Sequence, residues 1–511
     1  MLFIKIYGGI SIKIIICIFL FILFFYETYH ELTIFQQSSY KVKEYLKHFR
    51  KYYFFSISSF LRLQVVMLGI LYYWYNHWFL GFILLFLALG CINLKEKKII
   101  NLKITKRITR LFLTIGLYLF VSSIFSKYLL LVNVYIVPFI IILCNYINYP
   151  IENLINFCYI KKAKKKIQKY NIIKIGITGS YGKTSCKYFL SNILSSKYLV
   201  HKSPKSYNTM LGITKDVLNN LKEYDEIYIA EMGATKPKDI EKINQIINVD
   251  IGIITSIGTQ HLDSFKSIDN IIETKLEILK SNNIKTLVIN SDNEHLENYK
   301  YPSDIKVIKV SMNNKNVDYY AYDIEEKFNL IKFKINNVEL ETNLLGIHNV
   351  TNLLLVYAVC KELELEDEEI QEAFKNIEAV EHRLSYTKYD NYQVIDDSFN
   401  SNFEGFKNAI KALSLCDTKK ILITPGLVDQ KEKLQEYYQE LCYMIMHNID
   451  YVYLIKNENI NVLIGYFESN NFNKYNVVDS FQKAFEQAKN QNVFTTILIE
   501  NDLTDYYLSR G

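Results

Sequence analysis

The sequence predicts an α-helical, membrane-associated region followed by two α/β units, and three observations carry that expectation. Long Ile/Leu/Phe/Tyr runs are confined to about the first 150 of 511 residues. From residue 170 short apolar strands alternate with charged helices, the pattern of a parallel sheet with ligands at the carboxyl ends of its strands. After His382-Arg383 a strand–helix series starts again, which sets a boundary near residue 384. The divisions are then 1–150 as membrane region, 151–169 as basic juxtamembrane linker, 170–383 as central nucleotide-binding domain and 384–511 as a smaller Rossmann-like domain. A chain of this length is too long for one core.

Within the first region five apolar segments stand out, at about 10–26, 61–75, 78–92, 111–125 and 129–147. Several are shorter than the roughly 20 residues that span a bilayer, and tight connections pair the second with the third and the fourth with the fifth as hairpins. Lys and Arg cluster at 41–51, 95–110 and 161–166. All three clusters share one side if the N-terminus is outside and five segments cross, and that side is cytoplasmic by the positive-inside rule. A nucleotide-binding domain must meet ATP on the same side. The expected location is the cytoplasmic membrane, multi-pass, with the bilayer as a partner and the α/β domains in the cytoplasm. The competing reading is a set of buried helices in a soluble domain.

The net charge of +6 is modest and its basic residues lie beside the apolar runs, which points to a membrane surface and away from nucleic acid. Eight cysteines are scattered without a Cys-x-x-Cys pair, so neither a zinc ribbon nor a disulfide framework is indicated.

In the central domain strands are expected at 172–178, 226–231, 251–256 and 286–290, with a helix from Gly182. The first strand breaks into Thr178-Gly-Ser-Tyr-Gly-Lys-Thr184, a phosphate cradle. Its glycines admit backbone N–H groups to phosphate oxygens, Lys183 reaches the terminal phosphates, and the Thr184 hydroxyl suits Mg2+. The longer form of this loop needs a glycine where Ile177 stands, so this is the short form. Glu231 ends the next strand, where a carboxylate completes a magnesium shell. His261 follows the strand after that, and Lys275 lies on a helix. Alone, each has an ordinary structural reading as capping carboxylate, core histidine and solvated charge. The last domain is expected to have strands at 393–396, 420–424, 451–455 and 496–499.

Taken together, residues 170–400 resemble the Mur ligases. The matching stretches are Thr178-Gly-Ser-Tyr-Gly-Lys-Thr184, Ser206-Tyr-Asn-Thr209, Glu231-Met-Gly-Ala234, His261-Leu-Asp-Ser-Phe265, Lys275, Gly346-Ile-His-Asn-Val-Thr-Asn352, His382-Arg-Leu384 and Asp396-Asp-Ser-Phe-Asn-Ser-Asn402. The resemblance implies ATP and Mg2+ as cofactors and a role for each matched position. Gly179, Ser180, Gly182, Lys183, Thr184 and Ser185 would form the phosphate site. Thr184, Glu231, His261 and a carbamylated Lys275 would serve the metals. Asn349 and Asn352 would lie at the adenine, Arg383 at the phosphates and Asp397 at the ribose. Lys183, Lys275, His261 and Arg383 would carry the catalysis.

The implied chemistry is amide formation. A carboxylate is a poor electrophile, so the γ-phosphoryl of ATP first gives an acyl phosphate, which an amine then attacks. The implied substrates are a peptidoglycan precursor, soluble or lipid-linked, and an amino acid or D-Ala-D-Ala. The resemblance has gaps. Membrane segments stand where soluble family members carry a UDP-sugar-gripping domain. Phe399 replaces the usual Tyr, and Phe403 the usual Pro. Two stretches, Ile423-Thr-Pro-Gly-Leu-Val-Asp429 and Glu500-Asn-Asp-Leu-Thr-Asp-Tyr506, read as turns after buried strands or as contacts to the incoming dipeptide. Glutamate ligation onto a folate or polyglutamate chain is the nearest alternative. From another class comes a non-catalytic, nucleotide-responsive membrane protein, whose mark, a lost Lys275 or lost metal ligands, is not seen.

Overall fold

The computed structural model of the chain describes residues 2–52, 101–125, 129–204, 207–259, 262–399, 402–427, 434–457 and 459–503, with the helical positions Gln64 and Met67. The chain divides into a unit ending at Phe157 and a unit beginning at Cys158.

The first unit is helical, with helices Leu2–Gln37, Val42–Tyr52, Lys106–Phe125 and Leu129–Tyr135 and the start of Val137–Lys169. Leu23, Phe24, Leu32, Phe35, Ile108, Leu111 and Ile141 are among its core residues. Polar side chains join the hairpin partners. Arg110 donates to both oxygens of Glu152 at 2.6 and 2.9 Å, and the Asn148 amide donates to Thr114 Oγ1 at 2.8 Å. Nearer the connection, Tyr118 and Ser122 both bond Asn133. The opposite face of Lys106–Phe125 shows Leu113, Leu117, Phe120 and Ile124 at 62–69% exposure.

These helices revise the expected membrane segments. Lys106–Ile124 is long and apolar enough to cross a bilayer. It starts earlier than expected and takes in Arg107 and Arg110. The fifth segment is not one helix, because it breaks at Ile136. Segments 61–75 and 78–92 lie outside the described residues apart from Gln64 and Met67. The transmembrane region is therefore not confirmed as a set of five spans. The basic stretch expected as a linker is the last part of the helix Val137–Lys169. Its Lys166 ammonium donates to the carbonyls of Val217, Leu218 and Leu221 at 2.7–3.1 Å, at the end of the helix Met210–Asn219. Ala163 and Ile167 enter the core of the second unit.

The second unit holds two sheets. In the first, strands β1 (Ile173–Thr178), β2 (Val200–Lys202), β3 (Ile227–Glu231), β4 (Ile251–Ile254), β5 (Thr286–Asn290) and β6 (Lys306–Ser311) are parallel. They continue into β7 (Tyr319–Lys327), β8 (Leu330–Ile335) and β9 (Val338–Thr342), in the order β2-β3-β1-β4-β5-β6-β7-β8-β9. Strand β3 shows why the parallel part reads as a continuous apolar run: Ile227 and Ile229 pack on one face, Tyr228 and Ala230 on the other, and all are buried. Helices Lys183–Leu194 and His348–Glu362 cover the first face. Strands β7–β9 form an antiparallel meander that the strand reading missed. Its last turn places Asn336 and Asn337 at φ +44° and +73°, the left-handed pair of a tight hairpin.

The second sheet comprises β10 (Ser385–Lys388), β11 (Tyr392–Phe399), β12 (Lys419–Thr424), β13 (Tyr451–Ile455), β14 (Tyr475–Val478) and β15 (Thr495–Leu503). Their order is β10-β11-β15-β12-β13-β14, with the first pair antiparallel and the rest parallel. The fold is thus a central parallel-sheet domain followed by a C-terminal α/β domain, as the sequence predicts.

Candidate functional site

The site forms where β1 ends between β3 and β4, with Ile177 level with Glu231 and Thr178 level with Ile254. The loop after β1 turns on Gly179 at φ +145° and Gly182 at φ +78°, and Gly182 starts the helix Lys183–Leu194. Both glycines are also sterically required. A Cβ on Gly179 would collide with Thr255 Oγ1, and one on Gly182 would lie 2.5 Å from Asn352 Oδ1. The segment after β4 fixes the loop: Ser180 N–H donates to Ser256 O at 2.8 Å, and Ser180 Oγ to Gly258 O at 3.1 Å. The loop is built on its neighbours before any ligand arrives.

Lys183 folds back over this loop, its ammonium 2.7 Å from Gly179 O and 3.0 Å from Ser180 O. Burial brings its pKa down to about 8; the Glu231 carboxylate opposes that shift and the Arg383 charge adds to it. Thr184 Oγ1 donates to Glu231 Oε2 at 3.1 Å. Glu231 is buried and pairs with the equally buried Lys187 at 2.9 Å, while Asn208 donates to its other oxygen at 3.3 Å. Burial alone would raise the Glu231 carboxyl, but Lys187 and Lys183 hold it below its usual range. Ser185 follows on the same helix, half-buried.

Lys275 is 4% exposed, on the helix Ile268–Leu276. Burial, reinforced by the Lys183 charge, lowers its pKa to about 7 against the pull of Glu277 and Asp239. Asn349 and Asn352 sit in the first turns of His348–Glu362. Asn352 Nδ2 donates to Asn349 Oδ1 at 3.0 Å, and Asn349 Nδ2 to Leu345 O at 2.8 Å. Both are buried, so the pair is turned toward the protein and Asn352 lies against Gly182. Arg383 has its guanidinium over the Phe399 ring, 5.0 Å from the centroid, and its charge reaches Lys183 and Asp397. Asp397 accepts the Leu384 N–H at 3.0 Å. Burial raises its carboxyl above the usual range although Arg383 opposes this. His261 and Ser206 lie outside the described residues.

The structure therefore brings Lys183, Thr184, Glu231 and Asn352 to one loop, with the charges of Lys275 and Arg383 within reach of Lys183. Sequence reasoning missed Lys187 and Thr255, and it included Asn208 only within the stretch Ser206-Tyr-Asn-Thr209, without a role. Lys187 was readable in principle, since four residues after Lys183 it shares that helix face. Mg2+ uses few protein ligands, mostly oxygen, and leaves room for phosphates. The converging Thr184 and Glu231 oxygens fit that ion, and among the described residues no cage of three or more His, Cys, Asp or Glu side chains competes with it.

Residues 177–360 match the Mur ligase middle domain. Over 283 residues the chain is 26% identical to the UDP-N-acetylmuramoyl-tripeptide–D-alanyl-D-alanine ligase of Bacillus subtilis, covering 54% of this chain and 61% of that relative. The match thus spans less than two thirds of the relative's length. The fold is similar to that of MurF from Acinetobacter baumannii, with TM-score 0.62 and 18% identity over 68% of this chain and 78% of that one. MurF ligase from Thermotoga maritima in complex with ADP gives TM-score 0.59 and 21% identity, over 70% of this chain and 82% of that one. The matched segment, residues 177–360, contains the cradle together with Glu231 and Lys275.

Proposed function

We propose that this chain is an ATP-dependent carbon–nitrogen ligase of peptidoglycan precursor synthesis, joining D-Ala-D-Ala to UDP-N-acetylmuramoyl-tripeptide. The observation that carries the reading is the junction of Lys183, Thr184 and Glu231 at the short phosphate loop, with buried Lys275 beside it. The B. subtilis relative and the MurF structures support the substrate class.

The loop amides and Lys183 would hold the β- and γ-phosphates, exchanging the Gly179 and Ser180 carbonyls for phosphate oxygens. Thr184 and Glu231 would hold Mg2+, which supplies neutralising charge between two anionic reactants. With a pKa of about 7, Lys275 is half free base near neutrality, and only a free amine condenses with CO2. Its carbamate would add a second carboxylate to the metal site. Arg383 would neutralise the phosphoryl group in flight, and Asp397 would hold the ribose. The γ-phosphoryl passes to the substrate carboxylate with loss of ADP. Attack by the D-Ala-D-Ala amine then expels phosphate.

Phosphate release by detergent-purified protein with ATP, Mg2+ and D-Ala-D-Ala, with and without the UDP-linked tripeptide, tests this. Release that depends on the tripeptide, with the pentapeptide product seen by mass, is expected. Lys183→Ala and Lys275→Ala should each abolish it in a folded protein. Near-full activity in either variant would refute the assigned site.

The same proposal extends to location. The chain would sit in the cytoplasmic membrane with its α/β domains in the cytoplasm. The apolar side chains exposed along Lys106–Phe125 support this, as does the inward pairing of that helix's polar residues.

A further inference from the structure

Arg383 is flanked by two residues with left-handed backbones, His382 at φ +63° and Leu384 at φ +51°. Residues with a Cβ disfavour that region, and it persists only where the surroundings impose it. Here consecutive aspartates of β11 impose it. His382 Nδ1 lies 2.8 Å from Asp396 Oδ2, and the Leu384 N–H donates to Asp397 Oδ1 at 3.0 Å. Asp396 is itself fixed, because Ser398 donates to its Oδ1 from the backbone N–H at 3.0 Å and from Oγ at 2.5 Å. The Phe399 N–H donates to His382 O at 3.2 Å, and the Arg383 N–H to Val380 O at 3.0 Å. Ser398 Oγ also lies 3.3 Å from His382 Nδ1. Serine and aspartate thus meet the same ring nitrogen, so the group is no nucleophile–base–acid relay. It is a clamp on the turn that carries Arg383.

We propose that Asp396 and His382 are positioning residues that hold the left-handed turn and so aim the Arg383 guanidinium at the terminal phosphate of bound ATP. This rests on the assignment of Arg383 to the nucleotide made above. Neither residue needs to touch the nucleotide. Their effect passes through Arg383, which leaves β- and α-phosphate binding to the loop.

The test is direct calorimetric binding of AMP-PNP and of ADP, each with Mg2+, to the full detergent-purified chain. The proteins are wild type, Asp396→Asn, His382→Ala, His382→Asn, Arg383→Ala and the double variant Asp396→Asn/Arg383→Ala. Arg383→Ala and Asp396→Asn should each weaken AMP-PNP by about tenfold and leave ADP within about twofold, the loss of one charge-assisted contact. The double variant should be no weaker than Arg383→Ala. His382→Asn, which tolerates the left-handed region and keeps a donor, should recover most of what His382→Ala loses. Wild-type AMP-PNP affinity in Asp396→Asn, multiplied losses in the double variant, or equal weakening of both nucleotides would overturn the positioning role while the nucleotide site stands. A wild type that binds neither nucleotide would remove the site and this inference together.

Discussion

At the scale of single residues, buried Lys275 couples activity to stability. Its pKa falls from 10.5 in the unfolded chain to about 7 in the folded one. The unfolded chain therefore binds more protons between those values, and stability rises with pH across that window. Lys183, lowered to about 8, adds the same sign over the narrower range above it. The urea midpoint of the ligand-free protein should accordingly increase from neutral to about pH 9.5, and Lys275→Met should flatten that rise. At pH 7 the same variant should be more stable than wild type by about 0.5–2 kcal/mol while ligation is lost, the usual trade at a site that keeps a strained charge. A midpoint that falls with pH would contradict the burial of this amine. Much of the site was legible at this scale, because Lys183, Thr184 and Glu231 belong to motifs whose spacing encodes their meeting. The partners that tune them were not. Lys187, Asn208 and Asp396 act through contacts set by tertiary packing: the motifs contain Asn208 and Asp396 and the helix spacing faces Lys187 toward the loop, but none of these signals names the partner each one meets.

At the scale of elements, the helix Met210–Asn219 ends on three carbonyls held by one ammonium, that of Lys166. Lys166→Met should destabilise the second unit by about 1 kcal/mol in urea unfolding, the worth of a cation at a helix C-terminus. No change would mean that water satisfies those carbonyls equally well. From sequence alone, Lys166 was one of a basic run whose simplest reading was a membrane-proximal linker. The core strands fared better. Runs such as 227–230 are apolar on both faces, and such runs leave few alternatives to a buried parallel strand. The meander at β7–β9 escaped because Tyr, Asp, Glu and Lys dominate it. Its best local signal was the pair Asn336-Asn337 between alternating residues.

At the scale of the whole molecule, the proposed bilayer association predicts fractionation behaviour. The full chain should stay in the membrane pellet after an alkaline carbonate wash, and Leu117→Asp with Phe120→Asp should weaken that retention. Release of the wild type into the supernatant would defeat the proposal. A different consequence follows from the ion pair between Lys187 and Glu231. The carboxylate that would receive a divalent cation is already neutralised by the protein's own ammonium, so loading the site is an ion exchange. The buried carboxylate is therefore compensated without a metal, in contrast to small domains that unfold when chelated. Protein stripped with EDTA should stay folded and melt cooperatively, and should bind cations the more weakly for having supplied its own.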